Sequence, residues 1–122
     1  MNDGSRLSAM TSPAKTVREV LIAARWILEH HEWTQRVFHR VDDGKHCFCL
    51  GGAVNATLVA DTDENGRALR SRAKQHLEHA LRDENPVWIS YLYTRYTAWN
   101  DAPGRTKAEV LALLDRTIAR CP

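Results

Sequence analysis

Apolar residues at Val17, Val20, Leu21, Ala24 and Leu28 return at three- and four-residue steps, while Arg18, Arg25 and Glu29 lie away from the stripe that Trp26 and Ile27 widen. That is the period of an amphipathic helix. Ser12 offers a side-chain cap, and Pro13 fits the first turn because its missing N–H costs nothing there. The first helix is therefore predicted from Pro13 to His31. After Trp33-Thr34-Gln35 the pattern changes to Val37-Phe38-His39-Arg40-Val41, Asp42-Asp43-Gly44 and Lys45-His46-Cys47-Phe48-Cys49. Asp-Gly between two such runs predicts a β-hairpin with a two-residue turn. In that register Val41 faces His46, His39 faces Phe48 and Val37 faces Leu50 on one side, while Arg40 with Cys47 and Phe38 with Cys49 share the other.

From Leu50 to Ala60 the period is helical again, with Leu50, Ala53, Val54, Thr57 and Leu58 on one face and Gly51, Gly52 and Ala56 allowing a close neighbour. This run is expected to be the central helix. Asp61 to Gly66 reads as a loop, and a third helix follows from Arg67 to Asp83 with Leu69, Ala73, Leu77, Ala80 and Leu81 inward. Asn85-Pro86 repeats the cap-then-proline signal and opens a fourth helix to Trp99, with Ile89, Leu92, Tyr93 and Tyr96 as its stripe. Residues Val87 to Thr97 would also suit a strand, but length and the lack of clean alternation favour helix. Pro103-Gly104 closes a turn, Thr106 and Glu109 form a capping-box pattern, and Val110, Leu113, Leu114, Thr117 and Ile118 give the last helix its face. The expected fold is mainly α, a compact bundle of about five helices with one small β-hairpin near residues 36–49. Residues 1–11 are expected to be a flexible leader to a single domain over 12–122.

Composition narrows the function classes. At 122 residues and 43% apolar, the chain can bury one modest core. No apolar stretch approaches the ~20 residues of a membrane helix, and nothing after Met1 resembles a signal peptide, so a cytoplasmic location is expected. Three cysteines, two of them at Cys47 and Cys49, fit free thiols better than a disulfide scaffold. A formal charge of +2 arises from interspersed signs with no basic block, which permits nucleic-acid affinity without indicating it.

Candidate chemistry gathers around Lys45 to Val54, where a strand gives way to a small-residue helix. A cysteine in a helix's first turn sits beside unpaired N–H groups that stabilise thiolate, so Cys49 is the candidate nucleophile of a thiol-dependent enzyme, with Asn100 or Asp101 as orienting groups. The bland alternative is that Cys49 fills a small space between hairpin and helix. Cys121 is expected to be incidental. Cys47, Cys49, His46, His39, His30 and His31 are acceptable zinc ligands by type. Their spacing is poor, since Cys-x-Cys puts both thiols on one strand face and His39 and His46 on the other, and no metal or cofactor is expected. Arg67, Arg70 and Lys74 share a face of the third helix and form the candidate phosphate-binding surface of a weak DNA-binding regulator, although neighbouring acids dilute it. Trp26, Trp33, Trp88, Trp99, Tyr91, Tyr93 and Tyr96 are more aromatics than one small core holds with every N–H and O–H satisfied. Trp33 and Trp99 are expected to clamp the central helix. Trp88, Tyr91 and Arg95 are the candidate contact residues for a protein partner.

Trp33-Thr34-Gln35, Cys49-Leu50 with Gly52-Ala53, Trp99-Asn100-Asp101, and Arg105-Thr106 with Glu109-Val110 and Leu114-Asp115 together resemble a family of small proteins from actinobacteria and their bacteriophages, of unknown function. The resemblance spans most of the chain from the first helix to the last and implies an actinobacterial or mycobacteriophage origin. It brings no activity, cofactor or catalytic residue. Cys47 and His46, beside the usual cysteine, depart from the pattern. With no complete catalytic or metal constellation and a surplus of aromatics, the expected function is a small protein-binding module without covalent chemistry, directed at a host protein if the chain is phage-encoded. Self-association through an aromatic patch is the further expectation.

Overall fold

The computed structural model describes residues 12–84 and 95–122. The predicted leader, and most of the predicted fourth helix with Trp88 and Tyr91, lie outside them. Among the described residues the elements run α1 (Val17–His30), β1 (Glu32–Trp33), β2 (His39–Asp42), β3 (Lys45–Phe48), α2 (Leu50–Asn55), α3 (Glu64–Glu84), α4 (Tyr96–Asn100) and α5 (Lys107–Arg120). The fold is mainly α with a small sheet, and none of these helices is long and apolar enough to cross a membrane.

Helix α1 begins later than the sequence suggested. Thr16, not Ser12, is its cap: the Thr16 hydroxyl accepts from Glu19 N–H while the Glu19 carboxylate accepts from Thr16 N–H, a complete capping box. Residues just upstream are extended, because Ala14 pairs with the far end of the 50s segment, donating to Leu58 O and accepting from Ala60 N–H. The same pairing explains why α2 stops at Asn55 instead of reaching Ala60. Thr57 turns its hydroxyl back onto Val54 O, the chain then extends beside Ala14, and Leu58, expected inward, is left 56% exposed.

Over the pairs that form, the hairpin has the predicted register, with His39 opposite Phe48, Arg40 opposite Cys47, Val41 opposite His46 and Asp42 opposite Lys45. The expected Val37–Leu50 pair is not among them, because β2 starts at His39 and Leu50 opens α2. Asp43 and Gly44 both take positive φ, as the two-residue turn requires. A third strand was not foreseen: β1 pairs in parallel with β3, giving the order β1-β3-β2. Helix α1 lies against α5, α2 and α3, and its Val20, Leu21, Ala24 and Leu28 meet Leu50, Ala53, Val54, Leu77, Leu81, Val110, Leu113 and Leu114 in the core. Helix α5 starts with the predicted Thr106–Glu109 capping box.

Candidate functional site

Three of the four segments that carry the motif pattern meet at one buried side chain. Asn100, the last residue of α4, is 1% exposed. Its Oδ1 accepts from the Trp33 indole N–H at 2.8 Å and from Leu50 N–H at 3.1 Å, while its Nδ2 donates to Thr34 O at 3.2 Å and to Asp101 Oδ1 at 3.0 Å. All four hydrogen-bonding positions of the amide are therefore used. Gln35 Nε2 donates to Asn100 O and Ala102 O, and Asp101 Oδ1 also accepts from Arg36 N–H. Arg105 lies 4.0 Å over the Trp99 ring and donates to Trp99 O. A saturated amide has no lone pair or N–H left for a substrate, so Asn100 serves as a clasp that fixes the sheet and the start of α2 against α4.

Cys49 caps α2 beside this clasp. Its sulfur accepts from Gly52 N–H at 3.3 Å, and its own N–H donates to Phe38 O at 3.2 Å. Gly52 has no room for a side chain, because a Cβ there would stand 1.7 Å from Phe38 O. Burial pushes the Cys49 thiol up from its ordinary pKa, outweighing the Gly52 and Gly51 amides that favour thiolate, and Asp101 pushes the same way. The thiol borders a cleft of about 220 Å³ with Arg36, Val37, Phe38, Thr97, Asn100 and Asp101. Asn100 and Asp101, named from the sequence as orienting groups, do line this cleft, but both are engaged with the backbone of the 33–36 segment.

The histidines fall elsewhere. His39 Nε2 and His46 Nδ1 are 2.9 Å apart on the hairpin, His39 stacks on Phe48, and His31 meets His46 and Phe48 edge-on. His30 stacks on Trp26 and contacts Trp26 O through Nδ1. Cys47 is buried with its sulfur toward Lys45 O. No group of three His, Cys, Asp or Glu residues among those described is placed to hold a metal ion. Cys121 lies half-buried, 3.9 Å from His76 Nδ1.

The basic face of α3 is partly spent on the protein itself. Arg70 donates to Thr57 O at 2.6 Å, and half-buried Lys74 sits 5.8 Å from the Tyr96 ring centroid with its pKa lowered by burial, leaving Arg67 exposed. Arg95 is exposed at the start of α4.

A second cleft has little signature in the sequence. A cleft of about 520 Å³ lies between α1, β3 and the loop after α2, walled by Pro13, Ala23, Trp26, Ile27, Phe48 and Leu58 with His31 at its side. Its only sequence signal was the apolar Leu58 after a glycine-rich helix, which periodicity assigned inward.

No curated protein and no solved structure matches the chain. A family model does, over residues 12–120, a span that takes in the clasp, both clefts and the capping boxes of α1 and α5. The chain belongs to that family, a family of unknown function designated DUF6197.

Proposed function

We propose that the chain is a protein-binding module performing no covalent chemistry, which takes an apolar segment of a partner protein into the cleft between α1, β3 and the loop after α2. The observation that carries this is the cleft itself: about 520 Å³, apolar walls with two aromatic side chains, and Leu58 held at its mouth. Apolar pockets seat the anchor side chains that dominate protein contacts. The buried, high-pKa thiol of Cys49 and the saturated amide of Asn100 support binding over thiol catalysis, and the engagement of Arg70 and Lys74 within the protein supports it over phosphate binding. The resemblance in the motifs extends the proposal to a cytoplasmic protein of actinobacterial or phage origin, acting on a host protein. Arg95 is the flank of the contact surface predicted from sequence that the structure describes.

The test is capture from mycobacterial lysate followed by titration with the purified captured protein. Leu58→Glu, which places a charge at the mouth without touching the core, is expected to weaken that binding at least tenfold while circular dichroism stays unchanged. A partner bound equally by wild type and Leu58→Glu would contradict the cleft as the contact. Loss on Arg95→Ala alone would move the contact to the α4 flank.

A further inference from the structure

We propose that the outer edge of β2 is a self-association surface, on which two copies of this chain pair β2 to β2 in antiparallel fashion about a two-fold axis at Val41. This surface is separate from the cleft and does not depend on it. The strand order leaves β2 at the edge of the sheet, and all four of its residues are exposed. Antiparallel ladders alternate, so neighbouring residues aim their main-chain groups to opposite sides. Phe38 O accepts from Cys49 N–H across the hairpin, which turns the main chain of Arg40 and Asp42 toward β3 and that of His39 and Val41 outward. Among the described residues no other main chain takes up those outward groups. Edge strands are commonly blunted by short length, charged side chains, proline, a bulge or a covering element, and β2 has the first two, being four residues long with Arg40 and Asp42. Here β2 reads His39-Arg40-Val41-Asp42 without proline, and Val37, Phe38 and Val41 stand 43%, 50% and 57% exposed around it.

Charge selects both the occupant and the register. A two-fold axis perpendicular to the sheet keeps directly opposed residues on the same face. Centring it on Arg40 sets that arginine against itself, and centring it on Asp42 does the same for the aspartate. Centring it on Val41 sets each Arg40 opposite the partner's Asp42, twice, with Val41 against Val41 between them. Opposed unlike charges stabilise a strand pair and like charges weaken it, so the Val41 register is the favoured one. Within one chain Arg40 and Asp42 approach only to 3.9 Å and both are more than half exposed, so each is available for the stronger cross-strand contact. The surface is thus self-complementary, as a two-fold interface must be.

The experiment is molar mass by light scattering or sedimentation over a concentration series. Wild type is expected to rise from the 13.9 kDa of one chain toward twice that mass. Arg40→Glu and Asp42→Arg are each expected to stay at one chain, because each sets like charges opposite. An equimolar mixture of the two variants should recover the two-chain mass, since every reversed position then meets an opposite charge. Recovery also shows that neither substitution harmed the fold. A single-chain mass for wild type throughout, a dimer that survives both reversals, or a mixture that fails to recover would each overturn the proposal.

Discussion

The two edges of the small sheet have opposite fates. On the β1 side, Trp33, Thr34 and Gln35 are tied to Asn100 and Ala102 through side-chain hydrogen bonds that leave the Asn100 amide nothing to spare. On the β2 side, the main chain of His39 and Val41 faces outward, and the side chains around it are exposed and partly apolar. One edge is closed by polar groups from 65 or more residues away, and the other is left open. The difference separates what the fold needs from what it can offer to a partner, and it places the motif pattern on the side of the fold.

The largest effects should come from the closed side. Gly52→Ala drives a Cβ into Phe38 O, a backbone atom that cannot rotate away, and is expected to cost about 3 kcal/mol or more, read as a lower urea midpoint. Asn100→Ala strands the buried Leu50 N–H and the Trp33 indole N–H. It should cost about 3 kcal/mol by the same measurement, given about 1–3 kcal/mol for each unsatisfied buried group. A loss below about 1 kcal/mol for Asn100→Ala would mean that the clasp is ornamental. Removing a cap is milder: Thr106→Ala should lose about 1 kcal/mol. On the open side, Arg40→Glu should change stability by less than about 0.5 kcal/mol while abolishing self-association.

Acid should act through His31. Burial is the main cause that lowers its pKa from the ordinary histidine value, with His46, His30 and Lys107 adding repulsion. A cation whose folded pKa lies below its unfolded one binds fewer protons when folded, so stability rises with pH across that interval. The contribution is whole above the unfolded value near 6.5 and is lost as pH falls below it toward the folded pKa. His31→Gln should flatten this segment of the stability–pH curve. Thiol labelling separates the regions in another way: Cys121 should react ahead of Cys47 and Cys49 in the native protein, and all three together once it is unfolded. Early labelling at Cys49 would revive a reactive thiol there.

Local chemistry made much of this fold legible. Asp43-Gly44 fixed the hairpin and its register, and Thr106 with Glu109 marked the start of α5, because each signal lies within a few residues of its effect. The same Thr-x-x-Glu pattern at Thr16 and Glu19 prevails over Ser12-Pro13, whose neighbour Ala14 is drawn into extended pairing with the segment around Val59. That pairing also shortened α2 and exposed Leu58, which periodicity alone could not foresee. Strand β1 has two residues and a parallel partner beyond the hairpin, too little pattern to register. Asn100 stood out in the motif pattern without its role, since its partners are contributed by segments around residues 33 and 50. Of the candidate site residues, Cys49, Asn100 and Asp101 do share a cleft, but it is the apolar cleft beside Leu58, absent from the sequence reading, that carries the proposed contact.

Native-state amide hydrogen exchange measures both edges at once. Leu50 N–H, donated to Asn100 Oδ1, should exchange only on global unfolding, whereas Val41 N–H should exchange rapidly in dilute protein and slow as concentration rises. Fast exchange at Leu50, or protection of Val41 that ignores concentration, would contradict the division between a clasped edge and an open one.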